Sequence, residues 1–233
     1  MIQTAPDAML LAIRDGNTAA VERMLAMDPA LVASRGSDGE SLVLHAVYHG
    51  SQQLIPVLLG GRPLDATEAA ALGEVVPLRA AIENDDDLRV RRSSDGWTPL
   101  HLAAHFGHVD AVALLIDHGA PLDALSTNAF RSTPLHTAFS GAIRQRTTSM
   151  SATASIVRRL ILAGADLSIR DAERRSVLHL AAALGDPALC ELLLARGAEI
   201  DALSDKGETP AMVAEISGHA ALARRLSEAP EAG

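Results

Sequence analysis

Aromatic residues are nearly missing from this 233-residue chain: one Trp, one Tyr and three Phe make up 2% of it, although 48% of the residues are hydrophobic. A core of large rings is thereby excluded, and burial must come from many Ala, Leu and Val side chains at close helix contacts. Lysine is equally scarce, Lys206 being the single one among twenty basic residues. This Arg-for-Lys bias, together with the Ala richness, suggests a GC-rich bacterial genome. Cys190 is the only cysteine, so no internal disulfide can form, and a reducing, cytoplasmic setting is expected. Positive charge is in deficit, with a formal net charge of −9 and a pI near 5.4. That excludes a general nucleic-acid binder, which needs a concentrated basic field to release counterions from phosphates. Residues 1–15 have no basic segment before their short apolar run at 8–13 and do not read as a signal peptide. Residues 41–61 carry no charge over a length that could span a bilayer, but they contain two His, two Gln, a Pro and several Gly. They read as two short helices and a turn, with no membrane contact expected.

What the chain does have is a recurring unit. Its clearest copy starts at Asp95-Gly96-Trp97 and continues Thr98-Pro99-Leu100-His101-Leu102-Ala103-Ala104-His105-Phe106-Gly107-His108. Thr98 suits an N-cap, and Pro99 suits the first helical position, where its missing donor is not needed. His101 can reach back to Thr98 like the second half of a capping box. Ala103 and Ala104 allow close helix approach, and Gly107 turns the chain into a second helix with an apolar stripe of Val112, Leu115 and Ile116. Gly119 ends that helix as a left-handed cap. Such a helix pair cannot bury its own apolar faces and must stack on others.

The unit recurs as Thr133-Pro134-Leu135-His136, as Ser176-Val177-Leu178-His179-Leu180-Ala181-Ala182 with Gly185, and as Thr209-Pro210-Ala211-Met212 with Gly218. The helix-ending Gly recurs in Gly164-Ala165-Asp166 and Gly197-Ala198-Glu199. With several copies in register, the chain resembles the ankyrin-repeat family from about Asp7 to Leu226. The fold implied is an all-α solenoid of about seven stacked helix pairs with hairpin fingers.

Weaker copies sit at Ser41-Leu42-Val43-Leu44 with Gly50, which has lost Pro and His, and at residues 64–73, which keep the Ala pair and Gly. The first-helix glycines are 34 residues apart from Gly16 to Gly50, 23 from Gly50 to Gly73, and 34 from Gly73 to Gly107. The short step predicts that the finger before unit three is missing. The step from unit five to six is too long by about ten residues, which predicts a polar inserted loop over 142–151. The expected organisation is one domain over 1–233. An N-terminal capping unit at about 5–37 has Asp7 as its helix cap, repeats fill about 38–203, and a C-terminal capping unit covers about 204–229.

In the family that the chain resembles, partners meet the fingers and the exposed end of each first helix, on the concave side. The matching residues here are Ser37, Asp38, Glu40, Tyr48 and His49 in unit two, and Ser94, Asp95, Trp97, His105 and Phe106 in unit four. In unit five they are Phe130, Arg131, Ser132, Phe139 and Ser140. All five aromatic residues fall on or beside these positions, which points to anchors for a protein partner. Tyr48, Trp97 and Phe106 are the expected anchors, with His49, His105 and Arg131 giving orientation. Phe139 has a second reading, as filler beneath the loop. The resemblance implies no catalysis, no cofactor and a chain that is monomeric by itself. The alternative is a small-molecule or enzymatic pocket on the same face, with His49 or His105 as acid–base group beside Tyr48 and Asp38, Glu40 or Asp95. No nucleophile elbow, phosphate loop or paired-carboxylate motif accompanies it. His45/His49 and His101/His105 have a helical spacing that could offer metal ligands, but no acidic or Cys ligand follows at a matching interval, and no metal is expected. Arg89, Arg91 and Arg92 form a basic cluster ahead of the fourth finger, a solvated run or a contact for an acidic partner. Cys190 falls on a buried stripe, where packing is the expected role.

Overall fold

The computed structural model of the protein describes residues 5–36, 39–145 and 149–228, the side chains of 144 and 145 excepted. Among the described residues fourteen α-helices form seven pairs: α1 (Ala5–Arg14) with α2 (Thr18–Met27), α3 (Leu42–Tyr48) with α4 (Ile55–Leu59), and α5 (Ala66–Leu72) with α6 (Val75–Asn84). Then follow α7 (Pro99–Phe106) with α8 (Val109–Asp117), α9 (Pro134–Gln145) with α10 (Met150–Leu162), α11 (Val177–Leu184) with α12 (Pro187–Leu194), and α13 (Pro210–Ile216) with α14 (Ala220–Glu228). Each first helix packs on the first helices before and after it, so the core runs as one continuous row through the stack. The close approach is made by alanines: Ala69 to Ala71, Ala103, Ala104, Ala181 and Ala182 are all fully buried. Among the described residues there is no β-strand; the first finger closes on an isolated bridge between Arg35 and Ser41.

The recurring His explains how neighbours are joined. The Thr98 hydroxyl lies 2.6 Å from His101 Nδ1, and His101 Nε2 lies 2.8 Å from the Ser132 carbonyl in the next finger. A carbonyl only accepts, so Nε2 carries the proton and Nδ1 is left to accept from Thr98. His136 repeats this on Thr133 and the Arg175 carbonyl, and His179 on Ser176 and the Glu208 carbonyl. Burial holds both His101 and His136 down at about 4, so all this bonding is done by neutral rings. The fingers are also tied by main-chain bonds: Thr127 N–H donates to the Gly96 carbonyl (3.2 Å), Ala172 to Phe130 (2.9 Å), and Asp205 to Glu173 (2.9 Å).

Unit three departs from this pattern. Between Leu59 and Asp65 the chain makes only a short turn through left-handed Gly60 and Gly61, and no finger forms. At the position of the recurring His stands Glu68, fully buried. It completes a capping box with Asp65, takes two bonds of 2.7 Å from the Arg62 guanidinium, and accepts the Ser41 hydroxyl at 2.7 Å. Burial pushes its carboxyl upward, but the bonds from Arg62, Ser41 and the Asp65 N–H outweigh that and hold it below the usual carboxylate value.

Two expectations are corrected here. Most of the loop expected over 142–151 is helix: α9 runs on through Gln145, and α10 starts at Met150 with Ser149 as N-cap, its hydroxyl 3.1 Å from the Ala152 N–H. Residues 146–148 lie outside the described residues. The sequence from Ala142 to Gln145 holds no helix breaker, and Gly141 does not break α9 because it is fixed by contact. A Cβ built there would lie 1.8 Å from the His105 carbonyl oxygen, so only glycine lets α9 come this close to α7. At the other end of the chain, α1 starts at Ala5, which places Asp7 inside the first turn and not at the cap.

Candidate functional site

The expected partner-binding residues come from the ends of α3 and α7, from α9, and from the fingers before α3, α7 and α9. Their rings form a connected strip. Tyr48 and Phe106 have centroids 5.7 Å apart, Phe106 meets His105 edge-on at 5.0 Å, His105 lies 6.2 Å from Trp97, and Trp97 stacks on Phe130 at 6.4 Å. Tyr48, Trp97, His105 and Phe106 are half-buried, and Phe130 is 42% exposed. The strip therefore shows apolar surface to solvent across units two, four and five, next to the unit that lacks a finger.

Polar groups fix it in place. The Tyr48 hydroxyl donates to the Asp95 carboxylate, joining the end of α3 to the fourth unit's finger. Asn128 donates to the Asp95 carbonyl at 3.0 Å and accepts the Phe130 N–H at 3.1 Å. Trp97 also rests on the edge of His101 at 5.4 Å, so one side of the indole is held by the His that links units four and five. Arg131 is exposed and has a left-handed backbone, φ 46°. The corresponding finger positions before units two, four and seven are glycines, Gly39, Gly96 and Gly207, which take that conformation without strain.

The structure does not unite every expected residue. Phe139 is fully buried and removed from any partner surface. It stands four residues after the buried Leu135 on the core side of α9, where units four and six carry Ala104 and Ala182, and helical period outweighs its aromatic character. Glu40 and Ser132 are buried as well; Glu40 accepts the His45 Nδ1–H at 2.8 Å. His49 is exposed at the end of α3, with its ring 4.5 Å from His45. Partial desolvation and then the nearby His45 and Arg14 keep His49 below its usual value. Its ring neighbour is His45, whereas those of His105 are Trp97 and Phe106. Ser37 and Asp38 lie outside the described residues.

Other singled-out groups have structural partners. His108 packs over Gly73 of the preceding unit, where a Cβ would lie 2.5 Å from its ring, and its Nε2 donates to the Ala71 carbonyl at 3.0 Å. Burial in α12 pushes the Cys190 thiol up to about 12, which keeps it protonated and unreactive. Among the described residues no three His, Cys, Asp or Glu side chains gather as a metal site would require, and no helix is long and apolar enough to cross a membrane. Sequence reasoning missed Glu68 and its partner Arg62, although aligning residues 65–71 with 98–104 puts a carboxylate where the other units have His. It also missed the Tyr48–Asp95 bond, for which a chain read unit by unit holds no signal.

Comparison with known proteins bears on the whole stack. The family model for ankyrin repeats, in three copies, matches residues 67–145 and 148–232, well over half of the chain. A transient receptor potential cation channel subfamily A member 1 homolog of Caenorhabditis elegans is 29% identical over 160 residues, covering 69% of this chain and 12% of the relative. The B-cell lymphoma 3 protein homolog of Mus musculus is 32% identical over 137 residues, 59% of this chain and 28% of that protein. Cortactin-binding protein 2 of Mus musculus is 34% identical over 110 residues, 44% of this chain and 7% of its own length. The chain thus spans well under a third of each of these relatives.

Proposed function

The chain belongs to the ankyrin-repeat family, and from that premise we propose that it is a non-catalytic module that binds a protein partner through the concave face of units two to five. Ankyrin repeats are in general protein–protein interaction modules, and the family is in general non-enzymatic. The observation that carries the reading is the connected, partly exposed strip of rings from Tyr48 through Phe106, His105 and Trp97 to Phe130. A family whose units pack through Ala and Leu has no packing need for four aromatic rings in one partly exposed row. Half-buried rings in such a row suit hot-spot contacts, because their orientation is settled before the partner arrives. In this reading Tyr48, Trp97 and Phe106 are the anchors and Phe130 extends them. Asp95 fixes the Tyr48 hydroxyl, and His49, His105 and Arg131 set the partner's orientation around them.

The test is retention of a cross-linkable protein from lysate of the source cells by the wild type, compared with Phe130→Ala and with a Trp97→Ala, Phe106→Ala double variant. Truncating a true anchor costs about 2 kcal/mol or more of binding, roughly a thirtyfold loss of affinity. The double variant should lose the partner and the exposed-ring variant should weaken it, with both keeping wild-type circular dichroism. Retention indifferent to both variants would overturn the reading.

A further inference from the structure

The basic cluster ahead of the fourth finger acquires a partner from far away in the sequence. Arg91 and Arg92 leave the 3-10 turn at Asp86–Arg89 and meet Arg35 of the first finger, and all three line a half-open cavity of about 260 Å³. The cavity sits where unit three has no finger. In units four to seven each finger is tied to the next by a main-chain bond. Between the fingers of units two and four no such bond is present among the described residues, and they approach where a Cβ on Gly39 would lie 3.2 Å from Ser94 Cβ. Gly39 and Ser94 line the space together with Leu44, Ala66 and Leu88.

The charges in it are unequal. Arg35 has no side-chain ion pair among the described residues, Arg92 reaches only the Gly96 carbonyl at 3.3 Å, and Arg91 shares an exposed contact of 3.2 Å with Asp85. Arg89, the remaining member of the cluster, turns away to Asp86 and the His118 carbonyl. Among the described residues the one carboxylate in the lining, Asp65, is occupied as the cap of α5, accepting the Glu68 N–H at 2.8 Å and the Thr67 hydroxyl at 2.7 Å. Three guanidinium groups against two described carboxylates, the committed Asp65 and the Asp85 that pairs with Arg91, leave net positive charge inside a chain whose net charge is −9, and Arg35 and Arg92 are the two that no described carboxylate contacts. Guanidinium forks match the geometry of phosphate and carboxylate oxygens, and two guanidinium groups without a described carboxylate partner suit a doubly charged phosphate.

We propose that this cavity binds a phosphate monoester, its oxygens taken by Arg35, Arg91 and Arg92 and its short body lying on Leu44, Ala66 and Leu88. The monoester is either a free small molecule or a phosphorylated serine side chain of a protein. The site does not depend on the aromatic strip and stands or falls separately from the proposed function.

Isothermal titration with inorganic phosphate, O-phosphoserine and a blocked phosphoserine tripeptide, against serine at matched ionic strength, tests it. The phosphate compounds should bind saturably and serine should not. Arg35→Ala and Arg92→Ala should each weaken binding by about tenfold, the worth of one charge-assisted contact. Arg158→Ala, on the exposed side of α10, should leave it unchanged. Tighter binding of the tripeptide than of the amino acid identifies a protein side chain as the source, and the reverse order a free phosphate. Arg35 makes no side-chain ion pair among the described residues, so Arg35→Ala remains decisive even where Arg92→Ala shifts the melting temperature. The proposal is overturned by an absence of saturable phosphate binding, by unchanged affinity in Arg35→Ala, or by an equal loss in Arg158→Ala, which would reveal general charge attraction.

Discussion

Units four to seven and units one to three share one helix-pair design but are joined to their neighbours by different means. In the later units every junction is reinforced twice, by a main-chain bond from finger to finger and by a neutral His reaching from one unit's cap to the next unit's finger. In the earlier units Leu44 and Glu68 occupy the His positions, unit three has no finger, and the buried carboxylate turns back toward Ser41 and Arg62. The family match begins at residue 67, inside the first helix of unit three, and so takes in most of that exceptional unit. The difference teaches that stacking and cross-tying are separable. Alanine-lined first helices suffice to pile the units, while the polar ladder is an addition that can be exchanged for a charged cap and an open cleft.

That contrast can be broken most forcefully at its strongest tie. His101→Ala removes the donor to the Ser132 carbonyl and the acceptor for Thr98 and leaves a void, so it should destabilise the stack by about 3 kcal/mol in urea unfolding. A loss below roughly a third of that would mean that the ladder is incidental to packing.

A pH series separates the two regions next. His101 and His136 are held near 4, below an ordinary value of 6.5, so between those limits the unfolded chain binds more protons than the folded one. Their stabilising contribution is complete above about pH 6.5 and falls as the pH drops toward 4, by up to about 1.4 kcal/mol per pH unit for each ring. Glu68 is lowered from 4.5 and loses its contribution only below that value. Amide protection, corrected for the intrinsic exchange rate at each pH, should therefore fall first in α7 and α9, and in α5 at lower pH; simultaneous loosening would erase the distinction.

Glu68→Gln should cost less than His101→Ala, about 1 kcal/mol, because the amide keeps part of the cap and Arg62, with its side chain 43% exposed, can turn to water. Thermal melts of the two variants side by side would order them. The smallest effect is expected at the fingertips. Arg131 and Arg174 have φ of 46° and 56°, and replacing both with Gly trades left-handed strain against the entropy of Gly in the unfolded chain, a net gain of about 0.5 kcal/mol. A loss of stability would show that these side chains hold the fingers.

Much of this molecule is legible in its sequence because its architecture repeats. Thr-Pro-Leu-His and the glycines at fixed spacing state where helices start and stop, and the 23-residue step between Gly50 and Gly73 shows as the absent finger. The failures have local causes. Phe139 reads as a contact residue by family position and as filler by the small residues it replaces, and its helical position faces inward. The roughly ten extra residues after Gly141 read as a loop because they are polar and exceed the repeat length, a pattern that holds no sign of the His105 carbonyl against which Gly141 is fixed within α9. Of the candidate site, the residues of the ring strip could be named, but not the bonds between units. Tyr48 to Asp95 spans 47 positions, and Arg35 meets Arg92 only because unit three is short.

The ladder has a direction. Each imidazole points from its own unit into the one that follows and offers nothing to the one before. Unit seven has Met212 at that position, 53% exposed, and so passes no such bond onward. A copy of unit five or six inserted between four and seven would find a donor arriving and a carbonyl waiting, whereas the same copy placed behind unit seven would be held by apolar contact alone. The polarity of one hydrogen bond thus decides at which junctions a stack of this kind accepts a new member.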